Sequence, residues 1–211
     1  RRACAGAGTV YTAAFCAGGY TTTRVNTNET WDGSSWTEVA EVNTARISIG
    51  SSGSSTAGFI FAGEAATGDV AVAESWNGSA WTEVNDLNQA RAFLPGTGTQ
   101  TAALAITGGN GPGSTLYANV EEYNGSSWTE IGDVNTPRLM GGSSGIVTSA
   151  LLFAGANATP ANTALTEFWN GSTWTEVNDM STARGDTSGL GTSNLALCSG
   201  GDVSPVTAAT E

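Results

Sequence analysis

Residues 169–179, WNGSTWTEVND, form the segment that decides the fold, because the chain repeats it with small changes. Its close copies are WDGSSWTEVAE (31–41), WNGSAWTEVND (76–86) and YNGSSWTEIGD (123–133). In each copy, two aromatic residues flank an Asn-Gly or Asp-Gly pair. This pair is the strongest short signal for a β-hairpin, since a type I′ turn needs positive φ at both central residues. The segment therefore predicts one β-hairpin with a type I′ turn in every repeat.

Arginine marks the start of each repeat. The arginines recur at intervals of 44, 45, 47 and 46 residues and are Arg2, Arg46, Arg91, Arg138 and Arg184. A Gly- and Ser-rich stretch follows each of them, and then a short apolar segment that ends in Gly-Gly or Ala-Gly, such as GFIFAG (58–63). After a loop of uneven length, a Glu stands two positions before the first aromatic residue of the hairpin. These pairs are Glu29/Trp31, Glu74/Trp76, Glu121/Tyr123 and Glu167/Trp169.

Each repeat thus contains four short strands, which we label A to D in chain order. Strand A follows the Arg, and strand B ends at the glycines. Strand C carries the Glu and the first aromatic residue on one face, because side chains alternate along a strand. Strand D begins with Trp-Thr-Glu. Four strands in about 46 residues are typical of one propeller blade, and blades must pack side by side because one blade cannot bury both faces.

We therefore predict an all-β protein in which residues 1–211 form a single β-propeller domain. The complete blades are 2–45, 46–90, 91–137 and 138–183. Residues 184–211 form part of a fifth blade, which stops at Glu211 before its aromatic residue. A segment preceding Arg1 fits the strand that is missing there, so we expect the chain to be part of a longer one. Five blades is the simplest ring, and six or seven fit a longer chain.

The glycines after strand B, the aromatic residue on strand C and the Trp about five residues later resemble kelch repeats over the whole chain. Two repeats depart from the Gly pair, with Ala62-Gly63 and Ala154-Gly155. The stretch TWDGSSW (30–36) partly resembles the Asp-box hairpin of sialidase-like propellers, but its spacing is one residue short. The composition of the repeats is also similar to repeats in structural proteins of marine bacteriophages. These resemblances imply a propeller and, for the last, a virion protein.

Composition and charge exclude several classes of partner. The formal net charge is −12, so we expect no binding to nucleic acid, whose phosphates are also negative. No apolar run reaches membrane-spanning length, which predicts no membrane insertion. Cys4, Cys16 and Cys198 lack metal-type spacing and are too few for a disulfide framework. We expect three small buried hydrophobic side chains, and neither a cofactor nor a metal.

The repeated charged and aromatic residues have two interpretations each. The arginines form either an anion-binding ring or ion pairs with the strand C glutamates or with acids between strands D and A. The acids between strands D and A are Glu41, Asp86, Asp133 and Asp179. Instead of pairing with the arginines, they could bind Ca²⁺. The Trp residues either stack on sugars or pack between blades. Recurrence in every blade favours the structural role, because a binding site breaks the symmetry that a fold repeats.

The links between strands B and C differ most from blade to blade. They share one face of a propeller with the D–A links, and variable loops on a constant framework are how many binding faces are built. Drift in unconstrained loops is the alternative. The candidate binding residues are Arg24, Asn26, Asp69, Asn110, Tyr117, Asn157, Asn162 and Asp202.

The chain has no His and no Lys, so acid–base chemistry would depend on carboxylates that recur in every blade. We therefore do not expect an enzyme. The leading hypothesis is a structural or adhesion module of a larger assembly, extracellular or part of a virion, and specifically a phage tail or capsid-associated protein. Its partners are other subunits of that assembly, and a host-surface glycan is a candidate ligand. The alternatives are a lectin-like glycan-binding propeller and a divergent glycoside-active enzyme.

Overall fold

The computed structural model describes residues 1–111, 114–157 and 161–203, which form the predicted all-β propeller. Each of the first four repeats is an antiparallel four-stranded sheet in the order A-B-C-D, and the fifth contributes strands A and B. The A strands are β1 (Ala5–Val10), β5 (Gly50–Gly53), β11 (Gly96–Gly98), β15 (Gly142–Ile146) and β19 (Ser188–Gly191). The B strands are β2 (Ala13–Ala17), β6 (Gly58–Phe61), β12 (Ala103–Ile106), β16 (Ser149–Phe153) and β20 (Ala196–Ser199).

The outer half of each complete blade is the C–D hairpin. The C strands are β3 (Asn28–Trp31), β9 (Ala73–Trp76), β13 (Val120–Tyr123) and β17 (Thr166–Trp169). The D strands are β4 (Trp36–Val39), β10 (Trp81–Val84), β14 (Trp128–Ile131) and β18 (Trp174–Val177). A small extra hairpin, β7 (Glu64–Ala65) and β8 (Gly68–Asp69), lies in the second B–C link. Residues 204–211, which include Glu211 and most of the last B–C link, lie outside the described residues.

The C–D hairpins occur where the repeats predict them, but the prediction of type I′ turns is wrong. Trp31 pairs with Trp36, so four residues and not two connect the strands. Gly33 has a φ of 97°, whereas the described non-Gly residues with positive φ do not include Asp32. The Asp32 carboxylate accepts hydrogen bonds from the backbone N–H groups of Ser34 and Ser35, both at 2.8 Å. A side-chain acceptor thus organises the turn, as Asx residues commonly do.

Strand B ends in two consecutive residues with positive φ. In the second blade these are Ala62 (φ 58°) and Gly63 (φ 107°). The second position requires glycine, because a Cβ on Gly63 would lie 2.8 Å from the carbonyl oxygen of Ile47. In the third blade, where the sequence ALAITGG (103–109) ends in Gly-Gly, the pair with positive φ is Thr107 and Gly108, one residue before the two glycines predicted to end strand B. In the first four blades, the backbone N–H of the second residue of the pair donates to the repeat Arg of the next blade, as Gly63 N does to Arg91 O at 2.8 Å.

The hydrophobic core lies between the blades. Phe59 and Phe61 of β6 pack against Trp128 of the third blade, and the Phe59 and Trp128 rings stack at a centroid distance of 5.7 Å. Ile60, between them on the strand, faces the other way and packs against Phe15 of the first blade. Side chains alternate along strand B, so one set faces the preceding blade and the other set faces the following blade.

Candidate functional site

The repeated arginines and glutamates form buried ion pairs. In the third blade, Arg91 Nη1 lies 2.6 Å from Glu121 Oε1, and both side chains are fully buried. The other carboxylate oxygen of Glu121 accepts hydrogen bonds from the backbone and side-chain N–H groups of Asn88, at 2.7 and 2.8 Å. Arg46 with Glu74 and Arg138 with Glu167 repeat this arrangement. Each guanidinium group is therefore paired through Nη1, which confirms the ion-pair interpretation for these three blades. The Nε atoms of Arg46, Arg91 and Arg138 are buried and have no hydrogen-bond partner among the described residues.

The first blade corrects the alignment by one residue. Arg1, and not Arg2, occupies the repeat position, with Arg1 Nη2 2.6 Å from Glu29 Oε2. Arg2 instead places its guanidinium over the Tyr20 ring, 5.2 Å from the centroid. Two adjacent arginines fit the sequence interval about equally well, so only the contacts distinguish them. Arg184 of the fifth blade is buried and donates to the carbonyl oxygen of Gly200 at 3.1 Å.

The tryptophans pack between the blades in the second, third and fourth repeats, as predicted. The buried members are Trp76, Trp81, Trp128, Trp169 and Trp174. The first blade differs, because Trp36 is 51 % exposed and Trp31 is half-buried. Their ring centroids are 5.7 Å apart. Tyr11, at the turn between β1 and β2, is 93 % exposed.

The B–C and D–A links lie together on one face of the propeller, which we call the loop face. Backbone hydrogen bonds join the two links within each of the first four blades, for example Val42 N to Asn26 O at 2.9 Å and Val134 N to Ala118 O at 3.0 Å. The Asn26 side chain adds a bond to Glu41 Oε2 at 2.8 Å. The loop face is therefore a continuous, hydrogen-bonded surface of both sets of links.

Several candidate residues of the loop face pair with each other or with neighbours. Arg24 forms a salt bridge with Glu64, and its Nε also donates to the Glu64 carbonyl oxygen at 3.1 Å, which ties the first B–C link to the second. Asp69 lies opposite Glu64 in the β7–β8 hairpin, and burial together with the Glu64 charge raises the pKa of Asp69. In the third link, Tyr117 Oη donates to Asn110 Oδ1 at 3.0 Å.

The remaining candidates lie at the fourth and fifth blades. The Asn157 side chain accepts a hydrogen bond from Ala161 N at 3.1 Å within its own link. The Asn162 side chain donates to the carbonyl oxygen of Asp202, which joins the fourth and fifth blades. The eight candidates therefore share one face, and none lines the central cavity. They form two pairs with each other, Tyr117 with Asn110 and Asn162 with Asp202, and the other four contact residues outside the candidate set.

The central cavity was not predicted from the sequence. It has a volume of about 1070 Å³ and is lined by the small residues of the A strands, such as Gly6, Ser51 and Thr97. We call the end of the cavity at the loop face its mouth. One residue of each blade lies there, and each has a φ between 52° and 58°. These residues are Ala3, Ser48, Phe93, Met140 and Asp186. Backbone hydrogen bonds link the first four in sequence, from Ser48 N to Ala3 O, Phe93 N to Ser48 O and Met140 N to Phe93 O.

Sequence analysis missed these mouth residues because their types differ in every blade. What the mouth residues share is their position, two residues after the repeat Arg. This holds in the first blade when Arg1, and not Arg2, is taken as the repeat Arg. Asp186 is the charged member, and burial together with the charge of Asp202 raises its pKa. The mouth therefore presents a different side chain on each blade, above a cavity whose wall is largely backbone and small side chains.

The expectation of three small buried hydrophobic cysteine side chains is wrong for two of them. Cys4 and Cys16 are half-buried, and their Sγ atoms lie 2.6 Å apart. The pairing of β1 with β2 brings them together, with Gly6 opposite Cys16. Cys198 is 6 % exposed and lies in a cluster with Phe153, as expected for a small hydrophobic residue.

Within residues 1–111, 114–157 and 161–203, no three Cys, Asp or Glu side chains are grouped closely enough to hold a metal ion. The described part of the chain also has no helix that is long and apolar enough to cross a membrane. No protein-family model and no curated protein matches the chain. The assignment as a β-propeller consequently rests on the sheet order and the packing of the blades.

Proposed function

We propose that this chain is a non-enzymatic structural or adhesion module of a larger assembly, located outside cells or in a virion. The observation that carries the proposal is the division of the molecule into a constant framework and a variable loop face. In the second, third and fourth blades, the repeated Arg and Glu side chains form ion pairs within the blade, and the repeated Trp side chains pack between blades. The B–C links, in contrast, differ in length, sequence and internal pairing. This division is typical of proteins that bind through loops on a rigid support.

More specifically, we propose that the chain is a kelch-like propeller of a virion and belongs to a phage tail protein or a capsid-associated protein. Kelch-like character is supported by the positive-φ pair after strand B and by the cross-strand aromatic pairs of the C–D hairpins. The virion assignment is supported by the composition of the repeats, with many Gly and no Lys or His. The partners we propose are other subunits of the assembly, with a host-surface glycan as a candidate ligand of the loop face.

Fractionation of native material by size and density, followed by peptide mass analysis, tests membership in an assembly. We expect peptides of this chain in particles much larger than 21.3 kDa. Recovery of the chain solely as a free monomer would contradict the proposal. No enzymatic activity is expected, and this stays a prediction.

Binding through the loop face can be tested with two matched tyrosines. Tyr117→Ala alters the loop face, where Tyr117 contacts Asn110. Tyr11→Ala alters an exposed turn between strands A and B, at the opposite end of the strands. We expect Tyr117→Ala to weaken association with the isolated assembly and Tyr11→Ala to leave it unchanged. Equal effects of both substitutions would argue against the loop face as the binding surface.

A lectin-like function is the second candidate, and the first blade supports it. Trp36 is 51 % exposed beside Trp31, and exposed aromatic rings suit the apolar face of a sugar. A glycan array with the unaltered chain and with Trp36→Ala tests this function. The lectin hypothesis predicts a signal that Trp36→Ala removes, and the absence of any signal would exclude the glycans on the array as ligands.

A further inference from the structure

The first hairpin places two thiols side by side. Cys4 directly precedes β1 and Cys16 is the fourth of the five residues of β2, and their Sγ atoms are 2.6 Å apart. This distance is far below the separation of two unbonded sulfur atoms, and a disulfide bond measures about 2.05 Å. A shift of about half an ångström would therefore bring the two sulfur atoms to bonding distance.

The surroundings of the pair favour reaction. Both side chains are half-buried, so a small reagent can reach them. Arg1 Nη2 donates to the Cys16 carbonyl oxygen at 2.9 Å, which holds a positive charge close to the thiols. Glu29, the ion-pair partner of Arg1, lies opposite Cys16 in the β2–β3 register, and its negative charge raises the pKa of Cys16 and partly opposes the effect of Arg1. In the second blade the position matching Cys16 is Ile60, a fully buried core residue, so the framework does not require a thiol there.

We propose that Cys4 and Cys16 form an intramolecular disulfide through exchange with a low-molecular-weight disulfide such as oxidised glutathione. The bond joins the start of β1 to β2 and closes the first hairpin covalently. Disulfides of this kind persist in oxidising compartments. The inference does not depend on the proposed function, although an extracellular or virion location would favour the oxidised form.

The chemistry starts at Cys16. The hydrogen bond with Cys4 and the positive charge of Arg1 lower the pKa of Cys16 to about 6, against the opposing effect of burial. The hydrogen bond with Cys16 and burial raise the pKa of Cys4. The opposite directions of the two pKa shifts favour Cys16 as the thiolate, and therefore as the nucleophile, of the pair.

The exchange takes place in two balanced steps. The Cys16 thiolate attacks one sulfur of oxidised glutathione, which breaks its S–S bond and releases one glutathione thiolate that takes up a proton. Cys4 then loses its proton to the solvent and attacks Sγ of Cys16 in the mixed disulfide, which releases the second glutathione. The two cysteines are oxidised by two electrons in total, and glutathione disulfide is reduced by the same number.

The test uses the full chain, first reduced and then equilibrated with oxidised glutathione. After denaturation without reductant we expect one titratable thiol per chain, that of Cys198, where the reduced chain has three. The oxidised chain should be about 2 Da lighter than the reduced chain. Chymotrypsin cleavage after the exposed Tyr11 separates the two cysteines, and the fragments should stay joined until reductant is added.

Variants serve as controls for the assignment. Cys198→Ala should keep the loss of about 2 Da on oxidation, whereas Cys4→Ala and Cys16→Ala should abolish it. Three titratable thiols after equilibration, a persistent glutathione adduct on Cys16, or disulfide-linked dimers would overturn the proposal. The measurement on the unaltered chain requires no substitution, so a variant that fails to fold cannot obscure the result.

Discussion

At the scale of single residues, buried charge is the most costly feature of this protein. In the second, third and fourth blades, the strand C glutamate accepts hydrogen bonds on both carboxylate oxygens, from an Arg on one side and an Asn on the other, as Glu121 does. Burial lowers the pKa of Arg46, Arg91 and Arg138, and the paired glutamates oppose that effect. Such a pair adds little net stability compared with an apolar pair, but the loss of one partner leaves an uncompensated charge.

Glu121→Gln should therefore destabilise the fold strongly. Both Arg91 and Glu121 are fully buried, and removal of one charge from a buried pair costs about 3–5 kcal/mol. Chemical denaturation measures the free energy of unfolding. Glu130→Gln is the matched control, since Glu130 lies opposite Glu121 in the β13–β14 register but is exposed, and it should change stability by less than about 0.5 kcal/mol. A small effect of Glu121→Gln would show that the pair is not essential.

Asp32 gives a pH-dependent prediction at the same scale. Hydrogen bonds from Ser35 and Ser34 lower the pKa of Asp32 to about 2. Since the folded-state pKa lies below the ordinary value, Asp32 stabilises the fold above about pH 4, and this contribution is lost as the pH falls towards 2. NMR titration of the Asp32 carboxyl group measures the pKa directly.

Asp32→Asn is the control for that titration, because Asn occupies this position in the other three hairpins. Its amide oxygen can accept the same bonds, as Asn77 does from Ser79 N and Ala80 N at 2.9 Å, but it does not titrate. The stability difference between the unaltered chain and Asp32→Asn should be constant above about pH 5 and change below about pH 4. An Asp32 pKa near 4 would contradict the prediction.

At the scale of elements, the end of strand B determines how one blade connects to the next. Two consecutive positive φ angles turn the chain, and the second residue points its N–H at a carbonyl oxygen of the following blade. The first position tolerates Ala and Thr as well as Gly, because a φ near 58° lies in the left-handed region that L-residues can adopt. A φ near 107° is accessible almost solely to Gly.

Gly63→Ala should destabilise the protein more than Ala62→Gly does. The new Cβ would meet Ile47 O at 2.8 Å and would need a φ of 107°, whereas Ala62→Gly relaxes its position. We expect a difference of about 2 kcal/mol or more between these neighbouring substitutions, measured by thermal or chemical unfolding. Similar effects at both positions would mean that the turn tolerates a side chain.

At the scale of the whole molecule, stability depends on contacts between blades. The clusters of buried residues each combine strand B of one blade with the hairpin aromatics of the next. The two ends of the described blade series differ from the middle. Trp36 of the first blade and Leu190 of the fifth are 51 % and 54 % exposed.

Equivalent tryptophans should therefore contribute unequally. Trp128→Ala removes a ring that is 7 % exposed and stacks on Phe59, and it should cost about 3–5 kcal/mol. Trp36→Ala removes the same residue of the first repeat, at 51 % exposure, and should cost less than about 1 kcal/mol. The test is to measure the free energy of unfolding of both variants and of the unaltered chain. An equal loss of stability in the two variants would show that Trp36 is buried in solution.

Much of the fold was predictable because local signals recur. The repeat interval, the aromatic pairs and the glycines located the hairpins and the ends of strand B, and the ion pairs followed from their recurrence. The turn type was not predictable, because an Asx side chain can replace a backbone turn in organising the same four residues. Arg1 and Arg2 could not be distinguished either, since both fit the interval between repeats.

The sequence by itself determined the β-propeller, because its periodic pattern leaves four short strands per unit with no other way to bury both faces. The tertiary structure alone decided which residues meet across that pattern. It brought Cys4 next to Cys16, placed five unlike residues at the cavity mouth and distributed the loop candidates among separate contacts on the loop face. These contacts depend on the register and on the packing of neighbouring blades, which residues distant in sequence establish together.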